Sequence, residues 1–240
     1  KFAWYKSSDS KSRINFLKLL CCGETEYIFN KNDLKYMEAE NFSQKKLLKF
    51  AKEPEKIFLT YKGLQEYLTD LGLRSKNDIK IATEAAIYAC AVKQGLREDL
   101  LLLSDGAPQF AVPTMLHALC WIHIERNIKK LIPVSESYRT AQEKVLSEVW
   151  DFYQKLKEYK INPAAEKAEN LRKEFDQIFL KKTCFISLNE ELERVYSKKE
   201  KLLQVLLRPI IPLHNNTSES DIREYVKKRK ISGSTRSELG

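Results

Sequence analysis

Asp99-Leu100-Leu101-Leu102-Leu103-Ser104-Asp105-Gly106 is the stretch on which the reading of this 240-residue chain turns. Four consecutive leucines between polar residues form the pattern of a strand buried on both faces of a sheet. Gly106 and Pro108 end it. A second apolar run, Ala118-Leu119-Cys120-Trp121-Ile122, reads as another strand close behind, and Ile124 to Leu131 as a basic helix stopped before Pro133. On the other side, Leu64, Tyr67, Leu68 and Leu71 are spaced for a helix ended by Gly72. Ile79 to Val92 gives a second helix with an Ala-rich face. Strands interleaved with helices predict the α/β class.

Further out the signals are shorter. Phe2 to Tyr5 reads as a strand, Ile14 to Leu20 as a helix stopped by Gly23, and Tyr27 to Phe29 as another strand. Asn32 is expected to cap a helix through Met37, and the Lys-rich stretch from Ala39 to Lys56 to hold a helix and a connection. From Ser137 to Leu207 the texture becomes long helical stripes broken near Pro163. The stripes are Val145, Val149, Phe152, Tyr153 and Leu156; then Ala168, Leu171, Phe175, Ile178 and Phe179; then Leu188, Leu192, Val195 and Tyr196. His214 to Ser218, rich in cap formers, is expected to start a last basic helix.

Composition narrows the partners. With 43% hydrophobic residues the chain can bury a real interior. An excess of 42 Lys+Arg over 33 Asp+Glu, a formal charge of +9, favours an anionic partner such as nucleic acid. Five cysteines without regular spacing argue against a disulfide framework and for a reducing compartment. No apolar run is long enough for a membrane span, and the start lacks the layout of a signal peptide, so an intracellular, soluble protein is expected. A first residue Lys1 and an ending at Gly240 without a terminating pattern suggest a piece of something longer.

Several residues bear chemistry. Asp105 stands at the carboxyl end of the Leu strand, where ligands gather in sheets of this kind, and a carboxylate there can hold a divalent cation; it equally suits a plain Asp-Gly turn. Glu219 falls at the edge of the apolar stripe Ile222, Tyr225 and Val226 of the last helix, better placed to turn inward than Asp221 or Glu224. An inward carboxylate calls for a cation or donors. Asn216-x-x-Glu219 also fits a capping box, and patterning alone does not separate the two. His117 and Cys120-Trp121-Ile122-His123 invite a zinc reading, but a closed site needs four ligands and only His214 adds to the set. A small buried Cys and hydrogen-bonded His residues fit better. Arg126, Lys129, Lys130 and Lys227-Lys228-Arg229-Lys230 flank the two acids and suit either phosphate contacts or a solvated face. No Gly-rich phosphate loop, nucleophile elbow or zinc-protease helix is present.

Four blocks, Lys11 to Leu17, Ser104-Asp105-Gly106-Ala107-Pro108-Gln109-Phe110, Leu119 to Arg126 and Pro212 to Arg223, together with Lys227 to Gly233, resemble transposases of the insertion-sequence 66 type over nearly the whole chain. The resemblance implies a ribonuclease H-like mixed sheet flanked by helices, with a long all-helical insertion before the last core helix. The division it implies is a first core part at 1–134, the insertion at 135–207, and a core end at 208–240 carrying the final acidic residue. It implies a bacterial, cytoplasmic and nucleoid-associated enzyme whose Asp-Asp-Glu triad binds two Mg²⁺ or Mn²⁺ ions. That enzyme would cleave and join DNA at transposon ends and assemble as a homo-oligomer on DNA. Asp105 matches the second Asp of the triad and Glu219 the Glu. The first Asp would precede Lys1; Asp9 does not match the motif, so this piece alone is expected to be weakly active or inactive. His123, Arg126, Asn215, Asn216 and Arg223 are candidates for orienting DNA or the carboxylates. A non-catalytic nucleic-acid-binding remnant of a decayed element is the alternative. A purely helical interaction protein is a third reading, which needs the Leu run to be helical.

Overall fold

The computed structural model describes residues 10–52 and 55–216. Phe2 to Tyr5, Asp9, Glu219, Arg223 and Lys227 to Lys230 lie outside the described residues. The chain divides into two compact units: the first holds described residues 10–52, 55–102 and 106–116, the second 103–105 and 117–216. The described chain is α/β, mostly helical, with two small two-stranded sheets.

In the first unit, helix α1 (Arg13–Leu20) starts on Ser12, whose hydroxyl accepts the Asn15 amide, and Leu17 is its buried anchor. Strand β1 (Tyr27–Phe29) leads into α2 (Lys31–Ala39), then α3 (Gln44–Ala51), strand β2 (Lys56–Phe58), α4 (Tyr61–Asp70) and α5 (Lys76–Lys93). The strands β1 and β2 pair antiparallel with Ile28 opposite Ile57. Helix α5 forms the centre of this unit. Ala82, Ala85, Ala86 and Ala89 are all fully buried, and side chains this small let α1, α2 and β1 approach its backbone closely. A buried polar cluster is set among them. The Tyr36 hydroxyl donates to Glu84 at 3.2 Å, and Arg13 reaches both Glu84, at 3.3 Å, and Glu40. Pro108–Phe110 forms a short 3-10 turn whose Phe110 meets Phe16 edge-on at 5.1 Å.

The cap of α2 differs from expectation. Asn30, not Asn32, takes the cap: its side chain accepts the Asn32 amide, while Asp33 bonds back to the Asn30 amide in a reciprocal box. Gly72 does end α4, in the left-handed region at φ +77°.

The strand β3 (Leu101–Ser104) confirms an extended Leu run, which excludes the helical reading. Its leucines are half-buried rather than covered on both faces, since β3 pairs only with β4 (Leu116–Leu119) among the described residues. In the second unit α6 (Trp121–Lys129) begins three residues before the expected Ile124, so Trp121 and Ile122 are helical, not extended. The cause is long-range packing. Trp121 is buried against Phe152, Phe175 and Phe179, with ring centroids 5.3, 6.2 and 6.4 Å away, and a helix start at residue 121 lines it up with Ile124 and Ile128 on one face. These rings belong to α7 (Glu136–Ile161) and α8 (Ala165–Phe179). Three further helices follow, α9 (Ile186–Tyr196), α10 (Lys199–Leu202) and α11 (Gln204–Leu207). The three apolar stripes read from the sequence form the core between them. Gln142 of α7 donates to the carbonyls of Ile128 and Leu131 at 2.7 and 3.0 Å, satisfying the end of α6.

Candidate active site

The chemistry-bearing residues of the second unit meet around the start of α6. Two consecutive peptide amides do the joining. The Cys120 N–H donates to the Ser104 carbonyl at 2.9 Å, holding the carboxyl end of β3, and the Trp121 N–H donates to the Leu213 carbonyl at 2.9 Å. The Trp121 indole N–H adds a bond to the Leu202 carbonyl at 3.2 Å. Three segments far apart in sequence, those at Ser104–Asp105, Lys201–Leu202 and Leu213–Asn216, are thereby docked on one helix end. Tyr159 and Lys160 of α7 secure the exit of the last one. The Tyr159 hydroxyl donates to Leu206 at 2.8 Å, and the Lys160 ammonium is shared between the carbonyls of Pro209 and Ile211, where burial lowers its pKa.

Asp105 is exposed, one residue beyond the Ser104 bond. His123 is half-buried within the first turn of α6, its amide bonded to the Cys120 carbonyl at 3.2 Å, and Arg126 is exposed one turn further on. Lys130 is exposed four residues beyond, while Lys129 pairs with Glu125 on its own helix. Asn215 and Asn216 follow Leu213, the Asn216 amide donating to His214 Nδ1 at 3.4 Å. The structure therefore gathers the segments bearing Asp105, His123, Arg126, Asn215 and Asn216. Glu219 follows Asn216 by three positions and lies outside the described residues, as do Arg223 and Lys227 to Lys230.

Two residues at this place are not paired by the sequence reading, Ser104, to which it gives no role, and His117, which it weighs for function only as a zinc ligand. Ser104 Oγ and His117 Nε2 lie 2.8 Å apart and share a hydrogen bond, both side chains being buried. Burial, and secondarily the charge of Lys201, pull His117 down to about 4, with Asp105 pulling weakly the other way, so the ring is neutral. A polar residue inside the apolar strand Leu116-His117-Ala118-Leu119 was the one available signal, since a buried imidazole needs a partner. The pair lacks the layout of a Ser-His-acid triad among the described residues, where His117 Nδ1 has no acid partner and Ser104 is only 5% exposed. Cys120 is a buried free thiol. Among the described residues no three His, Cys, Asp or Glu side chains gather as a metal-ligand set.

Among the described residues, the buried atoms His117 Nδ1, Asn215 Oδ1 and Asn216 Oδ1 have no hydrogen-bond partner. Each such atom costs about 1–3 kcal/mol unless a ligand, ion, water or further chain meets it. No helix among the described residues is long and apolar enough to cross a membrane.

Comparison with known proteins gives the site a context. An uncharacterised protein of Sinorhizobium fredii (strain NBRC 101917 / NGR234), y4jO, is 36% identical over 241 aligned positions, covering 100% of this chain and 74% of the relative. No solved structure matches. Residues 102–240, which contain β3, the start of α6 and the segment after Leu213, match the Transposase IS66 family. This chain belongs to the IS66 family of transposases.

Proposed function

We propose that the chain carries the catalytic core of a DNA transposase that cuts and joins DNA at transposon ends. In this reading its sheet is ribonuclease H-like and the helices between Glu136 and Leu207 are an insertion before the last core helix. Asp105 and Glu219 are two of its metal-holding carboxylates. The observation that supports this best is the pair of adjacent amides, Cys120 and Trp121, which hold the strand end before Asp105 and the segment running into Glu219 on one helix start. More than a hundred positions of intervening chain are closed off by that bridge.

The donor chemistry fits Mg²⁺ or Mn²⁺. Carboxylate and amide oxygens are the hard ligands these ions prefer, and Asn215 Oδ1 and Asn216 Oδ1 are buried acceptors without a partner among the described residues. A bound pair of such ions supplies activation of water or a terminal 3′-hydroxyl and stabilisation of the leaving oxygen. The chain's own groups bind and orient. Asp105 and Glu219 hold the ions, and His123, Asn215 and Asn216 set the carboxylates and the DNA strand. Arg126, Lys130, Arg223, Lys227, Lys228, Arg229 and Lys230 contact phosphates. Assembly of several copies on the DNA, at the bacterial nucleoid, belongs to the same reading.

Strand transfer of a labelled transposon-end duplex in Mg²⁺ tests it, comparing the full-length protein with its Asp105→Asn and Glu219→Gln variants. Each substitution is expected to reduce the rate by more than the roughly 10–100-fold typical of an outer-shell partner. Undiminished activity in either variant removes that residue from the assignment. Salt-sensitive DNA binding without any metal-dependent chemistry would favour a decayed, non-catalytic remnant.

A further inference from the structure

The carboxyl end of β3 is held twice. The Ser104 carbonyl takes the Cys120 amide at 2.9 Å, and its hydroxyl is bound to His117 Nε2 at 2.8 Å on the paired strand β4. Both side chains are more than nine-tenths buried. Bonds at both its carbonyl and its hydroxyl restrict Ser104 about ψ and χ1. The next residue, Asp105, therefore leaves the strand in one direction. The interior offers a cheaper solution wherever polarity serves no purpose: an Ala and a Leu on neighbouring strands pack without leaving a buried nitrogen such as His117 Nδ1 unpartnered.

We propose that His117, acting through Ser104, is a positioning residue that sets the direction of the Asp105 carboxylate. The inference rests on the assignment of Asp105 as a metal ligand. His117 touches neither substrate nor metal in this scheme; it fixes the peptide that carries the ligand, the role outer-shell hydrogen bonds play at metal sites generally.

Two readouts on the full-length protein test it, one with metal and one without. By calorimetric titration with Mn²⁺ alone, Ser104→Ala and His117→Ala are each expected to weaken binding about 10–100-fold. Ser104→Thr and His117→Gln, which keep a hydroxyl and a side-chain amide in reach, should stay within about threefold of the parent. The double alanine variant should be no worse than either single one, because the two substitutions break the same bond. Without metal, amide hydrogen exchange in a peptide spanning Leu101 to Gly106 should accelerate at least tenfold in both alanine variants. A peptide from the α7 core, Val149 to Leu156, serves as reference and should be unchanged. If Asp105→Asn abolishes Mn²⁺ binding while His117→Ala and Ser104→Ala bind like the parent, the positioning role is wrong and the site assignment stands. If Asp105→Asn binds like the parent, the site assignment itself is wrong. Exchange needs no metal, so an unaltered rate at Leu101 to Gly106 overturns the proposal whatever the titration gives.

Discussion

Asp33 is the residue whose environment is most at odds with its chemistry. It is 1% exposed at the start of α2, where Oδ1 accepts the Asn30 amide and Oδ2 has no partner. Burial pushes its carboxyl up from 3.8 to about 7, against backbone bonds from Asn30, Asp33 and Leu34 that pull it down. The folded chain thus holds this proton over a range in which the unfolded chain has shed it. The contribution of Asp33 to stability is greatest below about pH 4, falls as pH rises towards about 7, and is level above that; the full drop is on the order of 2–4 kcal/mol. Asp33→Asn is expected to flatten the dependence and raise the urea midpoint at pH 8, and melts of both proteins at pH 5 and pH 8 check it. The sequence reading puts the cap on Asn32 rather than Asn30, and local propensity, the same for Asn at either position, does not tell them apart. Only the path of the chain out of β1 selects Asn30. The same holds at Ser104 and His117: each is ordinary by itself, and what makes them a pair is the alignment of two strands thirteen positions apart.

Among the elements, α5 depends on small side chains more than any other. Ala86 is fully buried where α1, α2 and β1 crowd the helix. Ala86→Leu adds three carbons with no space to take them and should cost about 1–3 kcal/mol or more, seen as a lower urea midpoint with the slope unchanged. This helix was plain in the sequence, being long and periodic, as were α4, α7, α8 and α9. Element α6 was legible only in part. Across Ala118 to Ile122 the apolar run carries no period, and local reading extends it as a strand. The turn comes at Cys120 because Trp121 finds its partners on α7 and α8, thirty to sixty positions ahead. Strand β3 was legible as extended but not in its burial, since four leucines say nothing about how many neighbours a strand has.

At the scale of the whole molecule, position along the chain and position in space part company. Residues 106–116 join the core made by 10–102, with Val112 and Met115 buried in it, while 103–105 belong with 117–216. No local pattern announces such an exchange. Charge, by contrast, is a property of the whole that the sequence displays directly; +9 favours an anionic partner, and binding of such a chain to DNA is expected to fall steeply with salt. Arg126 of α6 and Lys130, the residue that closes that helix, are both exposed and are expected to contribute to that slope. The double substitution Arg126→Ala with Lys130→Ala should weaken binding to unrelated duplexes alike and reduce the slope of log K against log salt by about 2, measured by fluorescence anisotropy.

The bridge from Ser104 through Cys120 and Trp121 to Leu213 is made of main-chain groups alone. Nineteen of the twenty amino acids carry the N–H it uses, so point changes at residues 104, 120, 121 and 213 leave its donors and acceptors in place, whatever they do to the Ser104 hydroxyl bond or to the packing of Trp121. Proline is the exception. Placed at 120 it frees the strand end before Asp105, and at 121 it frees the segment entering Glu219, so that one codon change separates the halves while leaving every acidic residue intact.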